Sequence, residues 1–226
     1  MPGFILHMTS ARMLMQQSDK TSPLHYDEET QKKLFIGSIL PDASTDKRVS
    51  HFREKKSFGT IIEYPDPSLF YNKYKDLLSD PVCLGFYFHL YIDYRFFTDY
   101  LPNIVVYMDD NGWNTMDIHK VTQVYVKKTG LTVPIKQFLS KEYYYGDYTK
   151  MNTYLIHKYN LPMNLNPKIE NPGIEEANIP GLSVMLDMMH GFLNVPESAA
   201  METQVFDMKE LLDLLEKWTQ DFIESF

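Results

Sequence analysis

Residues 80–102 constrain the fold of this chain more than any other stretch. Asp80-Pro81 is a helix start, with the proline just inside the first turn, and Pro102 marks the end of the segment. Between them, residues 82–91 form the densest apolar run in the 226-residue sequence. The run is too short to cross a bilayer, which takes about 20 apolar residues, and His89, Asp93 and Arg95 interrupt or closely follow it. Such a helix belongs inside a globular core, and it carries two ionisable groups there. His89 and Asp93 are spaced i, i+4, so they leave one face about 6 Å apart. Phe86, Phe96 and Phe97 lie close by on that face, so the pair is expected to point inward. A buried aspartate needs a cation or several hydrogen bonds. On this helix alone, a His–Asp hydrogen bond satisfied within the core answers that need as well as a metal does.

Helical patterning recurs along the chain. Residues 4–17 carry Ile5, Leu6, Met8, Met13 and Met15. Residues 27–30 place acids in a first turn, where the helix dipole favours them, and that helix runs to about Leu40, where Pro41 stops it. Residues 43–64 are polar and irregular, with one β-like stretch at 60–64. Asp66-Pro67 opens a helix with Leu69, Phe70, Tyr74, Leu77 and Leu78 on one face. Further helices are expected at 114–128, 134–139, 148–159, 182–193 and 206–226. Residues 160–180 hold four of the 13 prolines and read as a long surface connection. The last helix sets Leu211, Leu214, Leu215, Trp218, Phe222 and Phe226 against an acidic opposite face. A membrane-surface helix would carry Lys and Arg there, so this one is expected to pack on the core. The sequence thus predicts one all-α domain over 1–226, a helical bundle with a ligand-bearing part at 1–100 and a helical part at 101–226.

Charge and cysteine content narrow the function. Lys plus Arg number 22 and Asp plus Glu 30, for a net charge of −8, which argues against binding a nucleic-acid duplex. The single cysteine, Cys83, permits no internal disulfide and fits a reducing compartment. It has no nearby His and reads as a buried structural thiol. The first residues lack the basic n-region of a signal peptide, and no window spans a membrane. A cytoplasmic location without a transmembrane segment is the expectation.

Three further segments join the His89–Asp93 pair. His7 lies on the apolar first helix, where a lone histidine is more often a core residue than a ligand. Asp42 follows Pro41 at the end of a segment that begins at Gly37, a place where aspartate commonly caps a turn. His51-Phe52 sits in the polar stretch that follows. Together, His7, Asp42, His51, His89 and Asp93 supply imidazole and carboxylate ligands of the kind that bind Zn²⁺. They lie on separate elements, as the shared core of a helical bundle requires. The zincin pattern His-Glu-x-x-His is absent, as is an adjacent His-Asp doublet. His25, His157 and His190 have no acid at ligand spacing.

In order and spacing, these elements resemble the bacterial zinc-dependent phospholipase C family, which is related to fungal zinc-dependent single-strand nucleases. The likeness covers about the first hundred residues. It rests on the helix-borne His7, the Gly-x-x-x-Pro-Asp segment from Gly37 to Asp42, His51-Phe52, and the Gly-x-x-x-His-x-x-x-Asp segment from Gly85 to Asp93. The resemblance implies a helical bundle of the phospholipase C and single-strand nuclease type. In it one zinc is held by Asp42, His51, His89 and Asp93, and a second by His7 with Asp93 as the bridging carboxylate. It further implies a metal-activated water attacking phosphorus, with Asp42 as the candidate general base. Two ions are expected, with Mn²⁺ and Fe²⁺ as alternatives to Zn²⁺.

The likeness weakens downstream. The secreted phospholipases hold a third zinc with two His and a Glu. Here Asp99 stands where the first of those His would be, and Tyr143 and Asp147 stand at i, i+4 where a His and a Glu would follow. Asp99 and Asp147 are therefore the candidates for a third site, with His119 as another substitute. The implied activity is that of a metal-dependent phosphoric ester hydrolase acting on a small phosphate ester or a phospholipid. The alternative is a non-catalytic metal-binding or interaction protein that retains the fold.

Overall fold

The Asp-initiated starts in the sequence act as helix caps in the computed structural model, which describes residues 3–21 and 26–225. Helix α1 spans Phe4–Thr21, and α2 spans Glu28–Ile39 behind Asp27, whose side chain accepts from Thr30 N. A 3₁₀ turn, Leu40–Ala43, carries Pro41 and Asp42. Helix α3 is the short Lys47–Ser50, capped by Asp46, and α4 is Pro67–Tyr74, capped by Asp66. Helix α5, Pro81–Arg95, is capped by Asp80, which accepts from Val82 N and Cys83 N. It continues through a π turn, Phe96–Tyr100, into α6, Leu101–Ile104. Each of these caps satisfies amides that the first turn leaves without partners.

The middle of the chain corrects the all-α expectation. The fold is mostly helical, but it contains a three-stranded antiparallel sheet in the order β1-β2-β3, formed by Val105–Met108, Gln123–Val126 and Leu131–Pro134. Val105 pairs with Val126, and Val124 with Val133. The helix expected at 114–128 is instead a loop followed by β2. The β-branched alternation of this stretch explains the outcome: Val124 and Val126 are fully buried while Gln123 and Tyr125 are only half-buried, the period of a strand and not of a helix. Gly130, at φ 69°, makes the turn between β2 and β3.

Helix α7, Ile135–Phe138, leads to α8, Tyr144–Lys158, which begins four residues before its expected start. The connection at 160–178 is irregular as expected. It is pinned to α4 where Lys73 bridges Glu175 and Glu176. Helix α9 is Ile179–Met189 and α10 is Met208–Glu224. Leu211, Leu215, Trp218 and Phe222 of α10 are buried as the sequence indicates. Phe226 and His25 lie outside the described residues. Among the described residues, no helix is long and apolar enough to cross a membrane.

One helix pair determines where the candidate ligands can meet. Helices α2 and α5 share the most extensive contact in the fold, and glycine is what allows their backbones to touch. A Cβ at Gly85 would stand 2.5 Å from Leu34 O and 2.8 Å from Ser38 N, and one at Gly37 would strike Val82 O. Both glycines belong to the motifs singled out in the sequence. Their role is close helix approach, which brings the end of α2 and the following Asp42 turn against the middle of α5.

Candidate metal centre

Five side chains from four segments converge where α1, α2 and α5 meet. His7 comes from the second turn of α1, Asp42 from the 3₁₀ turn after α2, His51 from the C-cap of α3, and His89 and Asp93 from α5. All five are buried, with Asp42 the most exposed at 7%. The His7 and His89 rings stack at 3.6 Å.

Local chain geometry aims each group. Asp46 caps α3 by accepting from Arg48 N and Val49 N, which fixes the helix whose end presents His51. Phe52 then takes a left-handed backbone at φ 47°, unusual for a bulky residue and worth about 1–3 kcal/mol of strain. That turn packs the Phe52 ring on the buried Phe70 at 5.3 Å, while His51 points into the centre. On α5, His89 Nδ1 lies 2.8 Å from Ser38 O. A carbonyl only accepts, so Nδ1 carries the proton and Nε2 presents a bare lone pair.

What faces that lone pair is a set of acceptors. His89 Nε2 lies 3.2 Å from His51 Nε2 and 3.7 Å from Asp93 Oδ2. His51 Nε2 lies 3.4 Å from Asp42 Oδ1 and 3.6 Å from Asp93 Oδ2. His7 Nε2 lies 3.3 Å from Asp93 Oδ1, off the line of a hydrogen bond, and both ring nitrogens of His7 and both Asp93 oxygens lack hydrogen-bond partners. At most one proton, on His51 Nε2, is available to three surrounding acceptors. When the His51 proton sits instead on Nδ1, 3.0 Å from Ser50 Oγ, there is none.

These distances fit a metal ion. The edge of a tetrahedron is about 1.63 times its centre-to-corner distance, so metal bonds of about 2.0–2.1 Å place ligand atoms about 3.3–3.4 Å apart. The four separations linking Asp42, His51, His89 and Asp93 run from 3.2 to 3.7 Å. Two overlapping groups, His7 with His89 and Asp93, and Asp42 with His51 and His89, can each hold an ion. His89 has only Nε2 free and so can serve one ion. Asp93 has an oxygen toward each side and is the group able to bridge two.

The protonation states suit ligation. Burial, reinforced by His7, pushes the His89 imidazole down to about 3, so it is neutral at physiological pH. Burial works upward on Asp93, but His89, His7 and His51 outweigh it and bring the carboxyl down to about 2. Asp42 is also pushed upward by burial. His51, His89 and Lys47 overcome this and hold it well below the usual carboxylate range. Lys47 Nζ donates to Asp42 Oδ1 at 3.1 Å and to Asp42 O at 2.6 Å.

The remaining candidates lie elsewhere. Asp99 is partly exposed and pairs with Arg95 Nε at 2.5 Å. Asp147 is fully buried but accepts from the backbone amides of Gln204, Val205 and Phe206 at 2.6–3.2 Å, so its oxygens are already committed. Tyr143 stands at the N-cap position of α8 without a side-chain hydrogen bond to the first turn, and His119 sits on an exposed turn at Asp117. Cys83 is buried, and burial pushes its thiol up to about 12, consistent with a structural thiol. Sequence reasoning missed Ser38, whose carbonyl sets the His89 tautomer, and Lys47, whose only signal was its place five residues after Asp42.

Compared with protein-family models, with curated proteins and with solved structures, the chain matches none. What the centre can do is therefore read from its own atoms.

Proposed function

We propose that this protein is a zinc-dependent phosphoric ester hydrolase resembling phospholipase C, built on a helical bundle of the phospholipase C and single-strand nuclease type. The observation that carries this reading is the convergence of buried imidazole and carboxylate ligand atoms at tetrahedral-edge spacing. Asp42, His51, His89 and Asp93 would hold one ion, and His7 with Asp93 a second. The ligand set of imidazole and carboxylate suits Zn²⁺, and also Mn²⁺ or Fe²⁺. Paired divalent cations would polarise a phosphoryl oxygen and lower the pKa of a water.

The chain's own groups prepare the centre for that chemistry. Ser38 O fixes the His89 tautomer and Ser50 Oγ steadies His51, supporting contacts of the kind that orient metal-ligating imidazoles. Lys47 holds the Asp42 carboxylate, the candidate general base, in place. Its side chain is 31% exposed, so it also sets a positive charge between the buried centre and solvent, where an anionic ester would approach.

The near-complete burial of all five ligands favours a second reading, an ion-holding protein that retains the fold without turnover. One experiment separates the two. Protein loaded with Zn²⁺ or Mn²⁺ is assayed on a phosphomonoester, a phosphodiester and phosphatidylcholine vesicles, alongside Asp42→Asn. Metal-dependent hydrolysis that falls at least 100-fold in Asp42→Asn supports the hydrolase. Stoichiometric metal that raises the melting temperature with no turnover supports the second reading, and absence of bound metal after supplementation overturns both.

A further inference from the structure

The exposed side of α5 borders a groove that none of the five candidate ligands lines. Three cavities of about 390, 300 and 310 Å³ adjoin along it. The first two share Lys56, Tyr64 and Thr98, and the last two share Ile62, Pro102 and Met116, so together they form one trough. Tyr91, Tyr94 and Thr98 make one wall, on α5 and the π turn that extends it, a kind of turn that recurs at functional sites. Tyr64, Pro65 and Pro67 make the other wall. That wall is held in place where Glu54 N donates to Tyr64 O and Asp66 N donates to Phe52 O, each at 2.9 Å. Tyr94 is 37% exposed, and Tyr64 meets it edge to face at 6.2 Å.

The lining groups define what the groove can hold. Most of its hydroxyls are committed: Thr98 Oγ1 donates to Tyr94 O at 2.8 Å, Ser68 Oγ to Asp66 Oδ1 at 2.6 Å, and the Tyr91 hydroxyl accepts from Arg95 at 2.8 Å. The Tyr64 and Tyr94 hydroxyls make no hydrogen bond to the described residues and remain as donors. Of the lining charges, Lys56 pairs with Glu54 at 3.3 Å. Asp66 caps α4 through Oδ1 alone and has no ion pair among the described residues, on a chain of net charge −8. A matching ligand presents flat apolar faces to the aromatic and proline walls, bare carbonyls to the phenols and a positive charge to Asp66. A polyproline II segment has that form, because its carbonyls are unpaired and proline has no N–H to satisfy. We propose that this groove docks a proline-rich peptide segment of a partner protein in the polyproline II conformation, with a basic residue beside Asp66. The dimensions agree. The helical course from Tyr91 to Pro102 covers about 16 Å, the length of about five polyproline II residues.

The test titrates the full chain into a fluorescein-labelled polyproline peptide flanked by arginines and reads fluorescence anisotropy. Wild type should bind the probe, and Tyr64→Ala and Tyr94→Ala should each weaken binding about 10- to 30-fold, as expected for aromatic anchors of an interface. Tyr94→Phe keeps the ring and loses one donor. It should weaken binding about 2- to 10-fold at an unchanged melting temperature, which keeps the groove testable should the alanine variants misfold. Asp66→Asn retains a capping oxygen and should reduce the preference for the arginine-flanked probe over a glutamate-flanked one. Tyr145→Ala, at a tyrosine 53% exposed on α8, should bind as wild type does. The proposal is overturned by any of four results: no binding by wild type up to about 1 mM, equal affinity in wild type and the tyrosine variants, an unchanged charge preference in Asp66→Asn, or equal binding of an arginine-flanked glycine-serine peptide.

Discussion

Asp93→Ala should disable the centre more completely than any other single substitution. Its oxygens face opposite sides, with Oδ1 3.3 Å from His7 and Oδ2 3.6 and 3.7 Å from His51 and His89. Zinc bound by four protein ligands is worth about 10–16 kcal/mol at neutral pH, or about 2.5–4 kcal/mol per ligand if shared evenly. Losing one ligand should then weaken binding about 10²- to 10³-fold. If Asp93 bridges two ions as proposed, both should suffer, whereas His7→Ala leaves the other four candidate ligands intact and should release only one.

Linkage converts this into a melting experiment. A ligand that binds only the folded state stabilises it by RT ln(1 + [L]/Kd), so a loss of 2.5–4 kcal/mol in affinity removes about that much stabilisation at saturating zinc. For a chain of this length a kilocalorie corresponds to about 2–4 °C. The rise in melting temperature between chelator and zinc should therefore shrink by about 5–15 °C in Asp93→Ala. A purely structural His–Asp pair behaves differently, losing about 1–3 kcal/mol equally with and without zinc. Metal counting by plasma mass spectrometry on the same samples completes the test. Two ions retained in Asp93→Ala, or equal melting shifts in zinc and in chelator, would refute the bridging geometry.

Three other outcomes follow from the same coordinates. Gly85→Ala forces a methyl against Leu34 O and should destabilise the fold by about 1–3 kcal/mol or more, measured by urea unfolding. It should also weaken zinc binding, because it separates Ser38 O from His89. Asp147→Ala strips three backbone amides of their acceptor and should lower stability by about 3 kcal/mol or more with zinc stoichiometry unchanged, while exposed Asp99→Ala should change neither. Metal-free protein should lose stability as pH falls. His89 is held at about 3 against an ordinary 6.5, so across that window the unfolded chain binds the proton and the folded chain does not. Asp93, held at about 2 against 3.8, extends the same loss below pH 4. Stability rising between pH 6.5 and 4 in chelator, followed by circular dichroism, would contradict this.

The parts of the molecule legible in the sequence were those with local causes. Asp27, Asp66 and Asp80 are caps that announce helix starts, and all three act as such. The His89–Asp93 spacing fixes a shared helical face whatever the tertiary packing. The sheet was less legible because its strands are four residues each, and β-branched residues at 121–126 fit a short helix nearly as well as a strand until Val124 and Val126 find partners at Val133 and Val105.

The start of α8 shows how one missing local signal changes a functional assignment. Its N-cap, Tyr143, makes no side-chain hydrogen bond to the first turn, so nothing in the sequence marks the helix as beginning before 148. The family resemblance alone puts Tyr143 and Asp147, at i, i+4, where the ligands of a third ion would stand. The helix begins at Tyr144, and Phe206 packs on both Tyr144 and Tyr148. Asp147 instead points to the loop at 204–206, whose amides lie 57 to 59 residues away in sequence. The carboxylate that the resemblance offers as a spare ligand is thereby a fastener for the chain segment that seats Phe206 on Tyr148.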